Sequence, residues 1–69
     1  MFELVILTRR GRRHSVAVRD WREANAELAR FAREYSRNHP NDEVIDAGVL
    51  DRAGNRVARY SRGRLEMFN

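Results

Sequence analysis

The chain has 69 residues, 42% of them hydrophobic, with 14 basic residues, all arginine, against 10 acids, for a net charge of +4 and a pI near 11. These values describe one small domain close to the lower size limit for independent folding, and they exclude a disordered tail. There is no cysteine for a disulfide or thiolate metal site, and no apolar run near the roughly 20 residues that span a bilayer.

The N-terminal "MFELVIL" lacks a basic start and a small-residue cleavage site, so it reads as a strand and not a signal peptide, and the expected location is cytoplasmic. That first strand is predicted over residues 2–9. Leu4 and Ile6 alternate with Val5 and Leu7, so both faces are apolar and the strand belongs in the middle of a sheet. Gly11 supplies a tight turn, and a return strand covers residues 13–19 with Val16 and Val18 on one side.

A helix is predicted over residues 21–36. Asp20 and Glu23 form a capping-box pattern, and Trp21, Ala24, Leu28, Phe31, Ala32 and Tyr35 share one stripe of the helical wheel. "SRNHPND" ends it, because Pro40 cannot continue a helix and Asn and Asp favour turns.

The second half repeats the hairpin pattern. Strands are predicted over 43–50 and 56–62 around the turn "DRAGNR", with a further short strand over 64–68. Ile45, Ala47 and Val49 alternate with Val44 and Leu50, and Gly48 marks a candidate bulge. The fold class is therefore α+β, one domain of the form β-β-α-β-β(-β). Right-handed crossover with strand one inserted between strands two and three gives an antiparallel sheet of order 2-1-3-4, one helix on one face. The expected core between helix and sheet is Leu4, Ile6, Val16, Val18, Leu28, Phe31, Ile45 and Val49.

One helix covers one face only. The other is expected to present Val5, Leu7, Val44, Leu50 and Val57 as an interface, and a chain this small without disulfides gains most from a homodimer.

Catalytic patterns are missing from the sequence. Ser15, Ser36 and Ser61 have no glycine-flanked elbow, and no Gly-rich phosphate loop precedes the helix. His14 and His39 read as surface residues with no second ligand at a metal spacing, and Asp42, Glu43 and Asp46 as a solvated strand start. No enzyme activity, small-molecule substrate, cofactor, metal or membrane association is expected.

The arginines carry the functional signal. Arg9, Arg10, Arg12 and Arg13 surround Gly11, and Arg56, Arg59, Arg62 and Arg64 form a second cluster on the last strands. Arginine presents a planar fork of donors matched to phosphates and carboxylates. Both clusters suit a nucleic-acid backbone or, by the same electrostatics, an acidic protein surface. Stacking platforms for single-stranded bases are few, with only Phe2, Tyr60 and Phe68 outside the helix stripe. Absence of lysine fits a GC-rich bacterial, plasmid or phage genome. The sequence thus supports a small basic regulator binding RNA or DNA, with an inhibitor or adaptor docking on a host protein as the alternative.

"LVILTRR" with the later "GNRVARY" resembles the first strand and a mid-chain turn of the carbon-storage-regulator family of dimeric RNA-binding proteins. The resemblance implies RNA contacts from Arg9 and Arg10. It covers residues 4–10 and 54–60 only. The family's Ala-Pro turn, terminal Arg-x-Glu signature and C-terminal helix are missing, and a helix stands mid-chain instead.

Overall fold

A computed structural model describes residues 1–61 and 63–67. The elements are β1 (Phe2–Thr8), β2 (Arg13–Val18), α1 (Trp21–Asn38), β3 (Val44–Leu50), β4 (Arg56–Ser61) and β5 (Arg64–Met67). All five strands form one antiparallel sheet of order β2-β1-β3-β4-β5. The α+β class, the central β1 and the crossover are as the sequence implies, and the short last strand joins the sheet. No described helix is long and apolar enough to cross a membrane.

Helix α1 starts where its cap demands. The Asp20 carboxylate accepts from the Glu23 N–H at 2.9 Å, and the Glu23 carboxylate reaches back to accept from the Arg19 N–H at 3.2 Å, one residue before the cap, a variant of the capping box. At the far end, the His39 N–H donates to the Tyr35 carbonyl. The apolar stripe lies on the sheet, burying Leu28 and Ala24 against Leu4, Ile6, Val18, Ala47, Val49, Ala58 and Leu65. The helix also holds β5: the Leu65 N–H donates to Asn25 Oδ1 at 3.1 Å.

Three of the expected core residues are displaced. Val16 faces the helix side, opposite Leu4, but β2 is the sheet edge and a groove opens between Val16 and the helix, leaving Val16 41% exposed. Ile45 is 49% exposed because pairing jumps from Leu7↔Asp46 to Thr8↔Val44, which makes Ile45 the extra residue of a bulge. Val44 takes its place against the buried cluster. Phe31 is half-buried and packs on the edge of that cluster.

A second irregularity falls between Val49↔Ala58 and Leu50↔Arg56, turning Val57 toward Phe2, Trp21 and Val49 on the helix side. Gly48 is not a bulge: it pairs regularly with Val5 and Arg59. A Cβ there would lie 2.9 Å from Arg56 Nε, so the missing side chain makes room for the Arg56 guanidinium across the sheet.

Candidate nucleic-acid interface

The arginine turn and the β3–β4 turn are built alike. In the first, the Thr8 N–H donates to the Arg12 carbonyl, the Gly11 N–H to the Thr8 carbonyl, and the Arg12 N–H to Thr8 Oγ1. In the second, the Asp51 N–H donates to the Asn55 carbonyl, the Gly54 N–H to the Asp51 carbonyl, and the Asn55 N–H to Asp51 Oδ1. Gly11 and Gly54 sit at φ of 85° and 87°, the left-handed position that a three-residue hairpin loop gives to glycine.

The arginine turn has an anchor that periodicity does not reveal. Asp42 is buried, contrary to its reading as part of a solvated strand start, and it gathers donors from three segments. Oδ1 accepts from the Arg10 N–H at 2.8 Å and Oδ2 from the Tyr35 hydroxyl at 2.6 Å, with the Arg12 guanidinium 3.8 Å away. Burial alone would push this carboxyl up; the Tyr35 hydroxyl, the Arg10 N–H, the Thr8 hydroxyl and Arg12 together outweigh it and hold its pKa below the ordinary value. The turn backbone is thus tied to the end of the helix and the loop after it.

The histidines are also not simple surface groups. His39 stacks on Tyr35 at 4.3 Å and Tyr35 on Phe31 at 5.0 Å, while His14 tilts against both Phe31 and Tyr35. His14 Nε2 and His39 Nδ1 are buried without a hydrogen-bond partner among the described residues.

Strand direction decides where the charges gather. β1 ends and β2 begins at the arginine turn; α1 ends and β3 begins at the same end of the sheet; β4 ends and β5 begins there too. Arg9, Arg10, Arg12, Arg13, Arg37 in the last helical turn, and Arg64 therefore share one end of the molecule. The β1–β2 and β4–β5 turns are three strand spacings apart, about 14 Å. The acids of that end are engaged: Glu43 pairs with Arg9 at 3.1 Å, and Asp42 is buried. Arg10, Arg13, Arg37 and Arg64 are exposed and form no ion pair among the described residues. A shallow cleft of about 150 Å³ lies between the turn and the loop, lined by Arg10, Arg12, His39, Pro40, Asn41 and Asp42.

The second arginine cluster does not act as one group. Arg64 belongs to the basic end. Arg59 stands mid-sheet opposite Gly48, and Arg56 starts β4 at the other end. The Arg56 side chain lies on the sheet, 3.6 Å from Asp46 and donating to the Ala47 carbonyl at 3.3 Å. Arg62 and Phe68 lie outside the described residues. Phe2 and Tyr60 pack against the core, which withdraws both as base-stacking platforms.

Of the five residues expected on the open face, Val5, Leu7 and Leu50 line a groove of about 280 Å³ with Arg13 and Arg56 beside them. Val44 and Val57 do not: the two bulges turn them to the core side. No family model, no curated protein and no solved structure matches this chain. The resemblance to the carbon-storage-regulator family thus stays confined to the two short stretches that carry it.

Proposed function

We propose that this chain is a non-enzymatic basic regulator that binds a nucleic-acid backbone through the arginine-bearing end of its sheet. The observation carrying this reading is the convergence there of Arg10, Arg13, Arg37 and Arg64, none in an ion pair among the described residues, while the neighbouring acids are occupied. Arginine forks on a rigid turn donate bidentately to phosphate oxygens, and each phosphate neutralised releases condensed counterions. The paucity of free aromatic rings favours backbone contacts over stacked bases.

The test is fluorescence anisotropy with random-sequence duplex DNA and single-stranded RNA across a salt series. Replacing Arg10, Arg13 and Arg64 by Ser should weaken binding to every sequence alike. It should also lower the log–log salt slope by about 0.9 per lost contact on duplex DNA and about 0.7 on single strands. Arg12 is kept, since its side chain neighbours Asp42. An unchanged slope, or no binding by the parent at low salt, refutes the reading.

The acting form is a homodimer joined through Val5, Leu7 and Leu50, with Arg13 at the rim of the seam and Arg10, Arg37 and Arg64 left free; a two-fold pairing is the commonest closure for such a face. Light scattering should give twice the 8.1 kDa chain mass, and Leu7→Glu should halve it. A parent monomer shifts the reading toward the alternative, an inhibitor or adaptor whose open face meets a host protein.

A further inference from the structure

A different surface invites a different partner. β2 closes one side of the sheet, and its outer side pairs with no strand among the described residues. Which backbone groups it offers follows from register. The Thr8 N–H bonds to the Arg12 carbonyl, so Thr8 and Arg12 turn their backbone groups toward each other, and at steps of two Ile6–His14, Leu4–Val16 and Phe2–Val18 are the pairs bonded across the ladder. The N–H and C=O groups of Arg13, Ser15 and Ala17 therefore point away from the sheet.

Edge strands are ordinarily blunted by proline, a bulge or inward-facing charge. Residues 14–18, "HSVAV", have none of these, and Ser15, Val16 and Ala17 are all exposed. Beside this edge runs a groove of about 240 Å³ between β2 and α1, floored by Ile6, Val16 and Phe31, with Glu27, Arg30 and Glu34 on its helix wall. Arg30 pairs with both glutamates, which leaves one net negative charge on that wall. The groove is therefore apolar at its floor and acidic by one charge on its helix side, so a partner's own acids belong at the ends of the edge and not over the groove.

We infer that β2 and this groove take up an extended acidic peptide segment, which adds a sixth strand beside Ser15 and Ala17. Main-chain bonds to the outward groups hold the strand, and alternate apolar side chains enter the groove over Val16 and Phe31. The charge of the occupant follows from the ends of the edge. Arg13 and Arg19 bracket it, six residues and about 20 Å apart, and neither has an ion pair among the described residues. A second copy of β2 laid antiparallel about Val16 would bring Arg13 against its mate's Arg19, and like charges across a ladder repel. A partner with carboxylates flanking an apolar centre meets no such penalty. This site shares Arg13 with the nucleic-acid reading but does not depend on it, since the edge strand and the groove lie outside the basic end.

The test selects linear twelve-residue peptides from a random phage-displayed library on the intact protein. Enriched peptides should alternate apolar residues with acids at the flanks. They should slow amide exchange at Ser15 and Ala17 while leaving His14 and Val16, already bonded inward, nearly unchanged. Ser15→Pro removes one outward donor and no ladder bond, so it should keep its circular dichroism spectrum and lose at least tenfold in peptide affinity. Leu7→Glu, on the open face, should bind peptide as the parent does. Three outcomes overturn the proposal: no enrichment, peptides that protect neither amide, or a dimer that Ser15→Pro converts to monomer. The last would make a second copy of the chain the occupant.

Discussion

Replacing Ile45 by Ala separates two accounts of β3. Simple alternation puts Ile45 in the core with Ala47 and Val49, where Ile→Ala costs about 2–5 kcal/mol. The bulge opposite Leu7 and Thr8 leaves Ile45 49% exposed. Full burial of such a side chain is worth about 1.5–3 kcal/mol, so half-burial limits the loss to about 1 kcal/mol. Leu28→Ala is the internal standard. Leu28 is 2% exposed at the centre of the helix–sheet contact, and its truncation should cost about 3–4 kcal/mol. A chain of this length has only about 3–10 kcal/mol in total, so Leu28→Ala should approach unfolding at room temperature. Urea denaturation read by the fluorescence of Trp21, the single tryptophan, gives both values in one assay. In a domain of this size about 1 kcal/mol moves Tm by about 4–8 °C, so the two variants are readily resolved. If Ile45→Ala destabilises as much as Leu28→Ala, the bulge is absent and the exposure of Ile45 is wrong.

Acid should act through Asp42. Its pKa is lowered in the folded chain, so its contribution is fully present above the ordinary carboxylate value of about 4 and disappears as pH falls through the lower native value. Thermal melts from pH 6 to pH 2 should show Tm falling in that window, with a shallower fall in Asp42→Asn. Tyr35→Phe removes the hydroxyl that donates to Asp42 at 2.6 Å and should speed amide exchange at Arg10 while leaving the net charge unchanged. In anisotropy titrations the same variant should lose affinity for nucleic acid with no change in salt slope, whereas arginine replacements lower the slope.

What the sequence makes legible is whatever follows from local pattern. The Asp20–Glu23 cap, the helix stripe and the Gly11 turn are all properties of neighbouring residues, and each forms as read. Strand order was legible too, because the two-faced apolarity of residues 4–7 requires a central strand. The bulges were not. A single extra residue inverts the inside–outside pattern beyond it, and nothing in "DEVIDAG" or "NRVARY" marks Ile45 or Val57 as that residue. Asp42 was equally hidden: its donors are supplied by Thr8, Arg10, Arg12 and Tyr35, and sequence adjacency contains no trace of them. The arginines were found as a composition and only partly as a site, since strand direction separates Arg56 from Arg64.

The concealed carboxylate also explains how so many cations are held at one tight turn. Four arginines around a glycine repel one another, and a free loop would relieve the strain by spreading. Here the backbone is held from both sides, by the Thr8–Arg12 bonds within the hairpin and by Asp42 receiving the Arg10 N–H. One negative charge placed beneath the turn offsets part of the repulsion, and because Asp42 is buried it does not present itself to an approaching anion. The main chain of the turn is therefore already ordered before any ligand arrives. On the proposed reading, binding would have only the arginine side chains to immobilise, at about 0.5–1.5 kcal/mol each, and not the loop that bears them. The exposed Glu43 is already taken up by Arg9, and any further surface glutamate would compete directly with phosphate. Placing the acid in the core lets a small domain keep a concentrated cationic end without losing either the turn or the fold.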